Sequence, residues 1–206
     1  MTKIILVRHG HVEGISPPRF RGREDLPLTA RGKWEAERTG QRIRASWAPI
    51  AVVLSSPMSR AADTAKAIAT AGLALEVKLD PNFNDIDYGK WLGRSREEAS
   101  ASWPEEVDRW YRVPHLVRIP GGESLQDVLA RIAQGLREIV RQYPDQIVAI
   151  AGHDSVNRVL LLHALELPLS RYWSLKQDPC AINELDFSGD GFVVRTMNDT
   201  GHLCAN

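Results

Sequence analysis

The sequence predicts an α/β fold, a three-layer α/β/α sandwich around a mostly parallel central sheet. Three observations carry that expectation. Short apolar runs at 4–7 (IILV), 51–54 (AVVL) and 147–151 (IVAIA) lack polar alternation, as strands covered on both faces do. Between them, apolar residues recur at three- and four-residue intervals, the period of amphipathic helices, and strand–helix alternation favours parallel pairing. Each run also ends in a turn with an Arg or a His beyond it: Arg8-His9-Gly10, Ser55-Ser56-Pro57 with Arg60, and Gly152-His153. In open α/β sheets the carboxyl ends of the strands line the crevice where ligands bind.

In chain order, the first strand stops at Arg8-His9-Gly10, and residues 11–28, with Pro17, Pro18, Pro27, Gly14 and Gly22, read as loop. In that loop Arg19, Arg21 and Arg23 alternate with Phe20, Gly22 and Glu24, either as a solvated face or, because the loop leaves a strand tip, as contacts to a ligand's polar body. Thr29 is a good helix N-cap, and Trp34, Ala36, Gly40, Ile43 and Trp47 mark one amphipathic helix up to Pro49. The second strand leads into a helix through Ala61, Ala65, Ile68 and Ala69, ending by Gly72. Arg60 falls in its first turn, where backbone donors favour an anion. A third strand is expected near 75–79.

Residues 81–120 form an excursion over the active-site edge, dense in aromatics: Phe83, Tyr88, Trp91, Trp103, Trp110 and Tyr111. Those rings either hold the excursion on the body or face a substrate. Ser124 caps a helix in which Leu125, Val128, Leu129, Ile132, Leu136, Ile139 and Val140 keep helical spacing up to Tyr143-Pro144. A buried strand at 147–151, a buried helix at 156–165, and a hairpin of 181–187 with 192–196 around Ser188-Gly189-Asp190-Gly191 complete the chain.

A length of 206 residues suits one domain, 1–206. With 26 basic and 26 acidic residues the net charge is zero, which argues against broad nucleic-acid or anionic-membrane binding. Any anion site must be local. Cys180 and Cys204 are the only cysteines, so no disulfide framework is expected and a reducing compartment is the simpler assumption. No secretory signal and no apolar stretch near the roughly 20 residues of a membrane span is found, so a cytoplasmic protein is expected.

The guanidiniums of Arg8 and Arg60 and the imidazoles of His9 and His153 form a phosphoryl pocket that needs no metal or other cofactor, because phosphoryl transfer is mostly positioning and charge stabilisation. Asp85-Ile86-Asp87 supplies carboxylates. His9-Gly10-His11 could instead begin a metallophosphoesterase site, but Glu13 stands where such a site would continue with Asp. A phosphate-binding module without catalysis is a third reading.

Further motifs add to these: Leu28-Thr29-Ala30-Arg31-Gly32, Thr64-Ala65, Tyr88-Gly89-Lys90-Trp91 with Gly93, Pro120-Gly121-Gly122-Glu123-Ser124, Arg158, Asn198-Asp199 and His202-Leu203. In order and spacing the chain resembles, along nearly its whole length, the histidine phosphatase superfamily, the phosphoglycerate mutase-like group. The resemblance implies the same three-layer fold and a metal-independent phosphatase acting on a small-molecule phosphate monoester, with a homodimer admitted. It implies His9 as nucleophile, forming a phosphohistidine that water hydrolyses, and His153 as donor to the transferring oxygens. Arg8, Arg60, His9 and His153 would bind the phosphate, and Arg21 and Gly22 would contact the substrate. Asp85 would be the general acid, with Asp87 in reserve.

Two departures stand out. Most relatives carry Glu where this chain has Asp85, and His11, Val12 and Ile15 replace the more usual Glu or Gln, Thr or Ser, and Asn. Phosphoglycerate mutase is the alternative within the family. The short span from Asp85 to His153 and the missing Asn both favour a phosphatase.

Overall fold

The computed structural model describes residues 1–71, 76–189 and 191–204. Six strands, β1 (Thr2–Arg8), β2 (Val52–Ser55), β3 (Val77–Leu79), β4 (Ile147–Gly152), β5 (Ile182–Phe187) and β6 (Phe192–Asp199), form one sheet in the order β3-β2-β4-β1-β5-β6. The first four in that order are parallel; β5 runs antiparallel to β1, and β6 antiparallel to β5. The expected mostly parallel sheet with a terminal hairpin is therefore present. The expected third strand starts later, at Val77; Gly72, Leu75 and Asp190 lie outside the described residues.

Side-chain alternation along β1 explains the three layers. Ile5 and Val7 join Val53, Ala149 and Ala151 under Ile43 of α1 (Ala30–Trp47) and Ala65, Ile68 and Ala69 of α2 (Ser59–Thr70). Ile4 and Leu6 face the other way, with Val148 and Ile150, against Val128, Ile132 and Leu136 of α5 (Leu125–Gln142) and Val156 and Leu160 of α6 (Asp154–Ala164). An unbroken apolar run is thus two interleaved faces, each covered by its own helix pair. Between β3 and α5 the excursion folds as short turns plus α3 (Arg96–Ser100) and α4 (Pro104–Arg112).

Caps behave as their residue types dictate. The Thr29 hydroxyl accepts from Gly32 N at 3.1 Å, and Ser124 with Asp127 forms a reciprocal capping box at the start of α5. α6 begins at Asp154, two residues before the expected start. On α1 one expectation is corrected: Trp34 is exposed, and Glu35 is buried in its place. Residues 34 and 36 are about 200° apart on a helix, so Trp34 cannot share the face of Ala36, Gly40 and Ile43. Glu35 tolerates burial because His11 N donates to it at 2.8 Å and Arg31 Nε at 2.7 Å. Among the described residues no helix is long and apolar enough to cross a membrane.

Candidate active site

Register brings the site together. Arg8 pairs with Gly152 and Ser55 with Ala151, so the tips of β1, β2 and β4 end side by side and deliver His9, Ser56 and His153 to one edge. The turn after β1 is tight: a Cβ on Gly10 would lie 2.4 Å from the carbonyl oxygen of Gly32, and one on Gly32 2.1 Å from that of His11. Only glycine permits this approach, which ties Arg8-His9-Gly10 to the first turn of α1.

His9 is held in one tautomer by its partners. Nδ1 lies 2.7 Å from its neighbour's carbonyl, Gly10 O, and so carries the proton. Nε2 then has a free lone pair, which accepts from Arg60 Nε at 3.2 Å. Burial, followed by the charges of Arg60, His153 and Arg8, pushes the His9 pKa well below its ordinary 6.5. Arg60 is itself aimed by backbone acceptors, donating to Gly22 O at 2.6 Å and Glu24 O at 2.7 Å. Arg8 donates to Gln177 O and stands 3.8 Å from Asp154. The His153 ring centroid is 5.2 Å from that of His9. Both His153 nitrogens and Arg8 Nε are buried without a hydrogen-bond partner among the described residues, leaving Arg8 Nε and the one N–H of the neutral His153 ring as donors suited to phosphoryl oxygens. Burial and the surrounding guanidiniums, opposed by Asp85, lower His153 to about 3.

Asp85 joins this cluster. Its Oδ2 accepts from Arg60 at 3.0 Å and lies 3.6 Å from His153 Nδ1, while Oδ1 accepts from Ile86 N at 2.9 Å and from the Ser155 hydroxyl at 3.1 Å. Burial favours its neutral form, but Arg60 and Arg21, with His153 whenever that ring is charged, outweigh it and hold the pKa below 3.8. The backbone here is clamped from α5. Arg131 donates to Asn82 O at 2.7 Å and Asp85 O at 3.3 Å, Arg23 also reaches Asp85 O at 3.3 Å, and Glu123 grips both guanidiniums at 3.1 Å. Asp87 lies outside the pocket: it accepts from Gly89 N at 2.8 Å and pairs with Arg23 at 3.5 Å.

The cavity over these groups measures about 650 Å³, ample for a small ligand. Arg21 and Gly22 both line it. Arg21 donates to Gly14 O, and burial with the nearby Arg8 charge lowers its pKa. Gly22 acts through its backbone: φ is +44°, and a Cβ would meet Ile86 O at 2.6 Å. Ile15, at the position where the family more often has Asn, adds an apolar wall. The excursion's aromatics divide. Phe83 and Trp91 are core, Tyr88 and Tyr111 line the cavity, and Trp110 is core that also reaches the cavity wall. His11 does not line it; its Nδ1 pairs with the Thr29 hydroxyl at 3.0 Å. Among the described residues no cluster of three His, Cys, Asp or Glu side chains is placed to hold a metal.

Several lining residues carry no sequence signal of their own. Ser155 and Asp154 follow His153 without a recognisable spacing, and Trp173 and Gln177 arrive from a segment that the apolar periodicity leaves unassigned. Glu123 lies within a recognised motif, but it reaches the Asp85 backbone only through Arg131 and through Arg23, the latter 100 residues away in sequence.

Known proteins resemble this chain in sequence and fold. The chain is 34% identical over 203 residues to phosphoserine phosphatase 1 of Hydrogenobacter thermophilus, covering 98% of this chain and 95% of that protein. It is 31% identical over 216 residues to a probable phosphoglycerate mutase, GpmB, of Cronobacter sakazakii, covering 100% and 96%. The solved structure of Bacillus stearothermophilus YhfR superposes with a TM-score of 0.92 at 27% identity, over 98% of this chain and 100% of that one. Residues 4–200 match the profile described as histidine phosphatase superfamily (branch 1), and the chain belongs to that family.

Proposed function

We propose that this protein is a metal-independent phosphatase that hydrolyses small-molecule phosphate monoesters through a phosphohistidine on His9. The observation that carries the reading is the His9 imidazole, with Nδ1–H on Gly10 O and the Nε2 lone pair turned towards Arg60. Arg8, Arg60 and His153 surround that lone pair with donors for the three equatorial oxygens, and Arg21 stands close enough to add charge. His9 Nε2 attacks phosphorus, the bond to the leaving oxygen breaks, and Asp85 gives that oxygen a proton. Water then attacks the phosphohistidine and returns a proton to Asp85, and inorganic phosphate leaves with His9 restored.

Asp85 rests as a carboxylate paired with Arg60, so it must gain a proton with the substrate. A phosphate dianion supplies the cause, because it draws Arg60 to itself and raises a neighbouring carboxyl pKa by like-charge repulsion. The GpmB relative keeps the mutase alternative in view, while the phosphoserine phosphatase favours hydrolysis. A cytoplasmic setting fits the same reading.

A panel of phosphate monoesters, with and without chelator, tests it alongside alkaline-quench trapping of labelled enzyme. The expected result is phosphate release that survives chelation and an acid-labile phosphoenzyme. With 3-phosphoglycerate we expect phosphate or no reaction; efficient conversion to 2-phosphoglycerate would replace the phosphatase reading with the mutase. Full loss on chelation, restored by zinc or manganese, would revive a metal site at His9 and His11.

A further inference from the structure

The two oxygens of Asp85 have different surroundings. Oδ2 faces the reacting side, towards Arg60 and His153, whereas Oδ1 is turned back onto the Ser155 hydroxyl and the Ile86 amide. Ser155 is 4% exposed and sits in the first turn of α6, two residues after His153. The hydroxyls of Tyr88 and Tyr172 lie against it. A serine hydroxyl has one proton and two acceptor sites. The Ser155 hydroxyl gives that single proton to Asp85 Oδ1, at 3.1 Å. An aspartate has only two side-chain torsions, and the second exchanges its oxygens through a half turn. A buried donor on Oδ1 opposes that exchange.

We propose that Ser155 is a positioning residue for the proton-transfer step, holding Oδ1 so that Oδ2 is the oxygen that exchanges its proton with the leaving group. The Glu123 clamp, acting through Arg131 of α5 and Arg23 of the 11–28 loop, fixes the Asp85 backbone, and Ser155 of α6 fixes the orientation of the carboxylate. The inference rests on Asp85 as general acid. Charged and titratable groups facing Asp85 are Arg60 from α2, Arg21 from the 11–28 loop, His153 from the β4–α6 turn, Tyr88 from the excursion, Tyr172 from the segment after α6, and, through the backbone, Arg23 from the 11–28 loop and Arg131 from α5. Removing the Ser155 hydroxyl withdraws a hydrogen bond that favours the ionised form, so the pKa governing proton transfer must rise.

The experiment compares an alkyl phosphate, whose leaving oxygen needs a proton, with p-nitrophenyl phosphate, whose leaving group needs far less help. For Ser155→Ala the ratio of kcat/KM values, alkyl over aryl, should fall about tenfold, the scale of one hydrogen bond to a charged group. The alkaline limb of the alkyl profile should also move to higher pH. Ser155→Thr, which keeps the hydroxyl, should restore the ratio, and thermal unfolding should place both variants near the parent. If Ser155→Ala lowers both substrates alike, or moves neither ratio nor limb, while Asp85→Asn shows strong leaving-group dependence, Ser155 has no positioning role. If Asp85→Asn shows no such dependence, the acid itself is misassigned and this inference falls with it.

Discussion

The floor of the cavity and its rim are built on different principles. At the floor, Arg8 and His9 line the cavity with Arg60 and His153 buried against His9, all four on strand tips or a first helical turn and 0–6% exposed, and three of them are aimed by backbone carbonyls: Gly10 for His9, Gly22 and Glu24 for Arg60, Gln177 for Arg8. At the rim, side chains hold one another. Tyr111 stacks on Trp173 at 5.3 Å and 16°, Arg96 lies 4.3 Å over Tyr111, and Trp173 Nε1 donates to Trp110 O at 2.9 Å. Three of the four floor side chains are each fixed by a main-chain acceptor, from the turn after β1 for His9 and from loops for Arg60 and Arg8, so the floor is held to one geometry. A stacked pair contributes about 0.5–1.5 kcal/mol beyond its buried area, so the rim can change without disturbing the sheet. Phosphoryl chemistry, common to every monoester, belongs on the first, and recognition of the variable body on the second.

The largest effect should come from the floor. His9→Ala should abolish the trapped phosphoenzyme and lower turnover by at least roughly 10⁴-fold, the scale of removing a nucleophile. A phosphoenzyme that persisted in this variant would move the covalent step elsewhere and end the contrast as drawn.

An intermediate effect should appear in acid. His9 and His153 are buried with pKa values pushed below 6.5, His153 to about 3. Below about 6.5 the unfolded chain binds protons that the folded one refuses, so stability is intact above that pH and falls as pH drops, by about 1.4 kcal/mol per unit for each imidazole. Asp85 acts lower: its depressed pKa adds stability present above 3.8 and lost as pH falls further. Urea unfolding between about pH 7 and 4 should show this slope, and His153→Gln should remove one imidazole's share. An unchanged slope would mean that His153 gains its proton without cost and that the floor is less closed than its burial implies.

The smallest effect belongs to the rim. Trp173→Ala removes the ring stacked on Tyr111 and the donor to Trp110 O. It should raise KM several-fold for an ester with a ring-bearing body, on the scale of one stacking contact, and change a small alkyl phosphate less than twofold. Equal losses in kcat for both would show that the rim supports the floor after all.

Much of the floor was legible because its signals are local. An apolar run followed by Arg-His-Gly reads as a strand tip wherever it occurs, and Thr29 and Ser124 mark helix starts by their own hydroxyls. The rim was less legible. Tyr88 and Tyr111 are aromatics of the same excursion as Phe83 and Trp91, yet the first two line the cavity, the last two are core, and Trp110 is both. Segment 84–88 has neither helical nor strand period, so no pattern could assign Asp85 rather than Asp87 to the cavity.

The sequence by itself determined the strands, the capped helices and the two arginines and two histidines placed beyond strand ends, since each follows from residues within a few positions of one another. Tertiary structure alone decided that Asp85 meets Arg60 and His153, that Ser155 stands behind it, and that Glu123 grips Arg131 and Arg23 beneath it. Apart from the Glu123–Arg131 pair, eight residues apart, those contacts join segments 25 to 100 residues apart. Their geometry depends on strand register and helix rotation, which only the packed core sets.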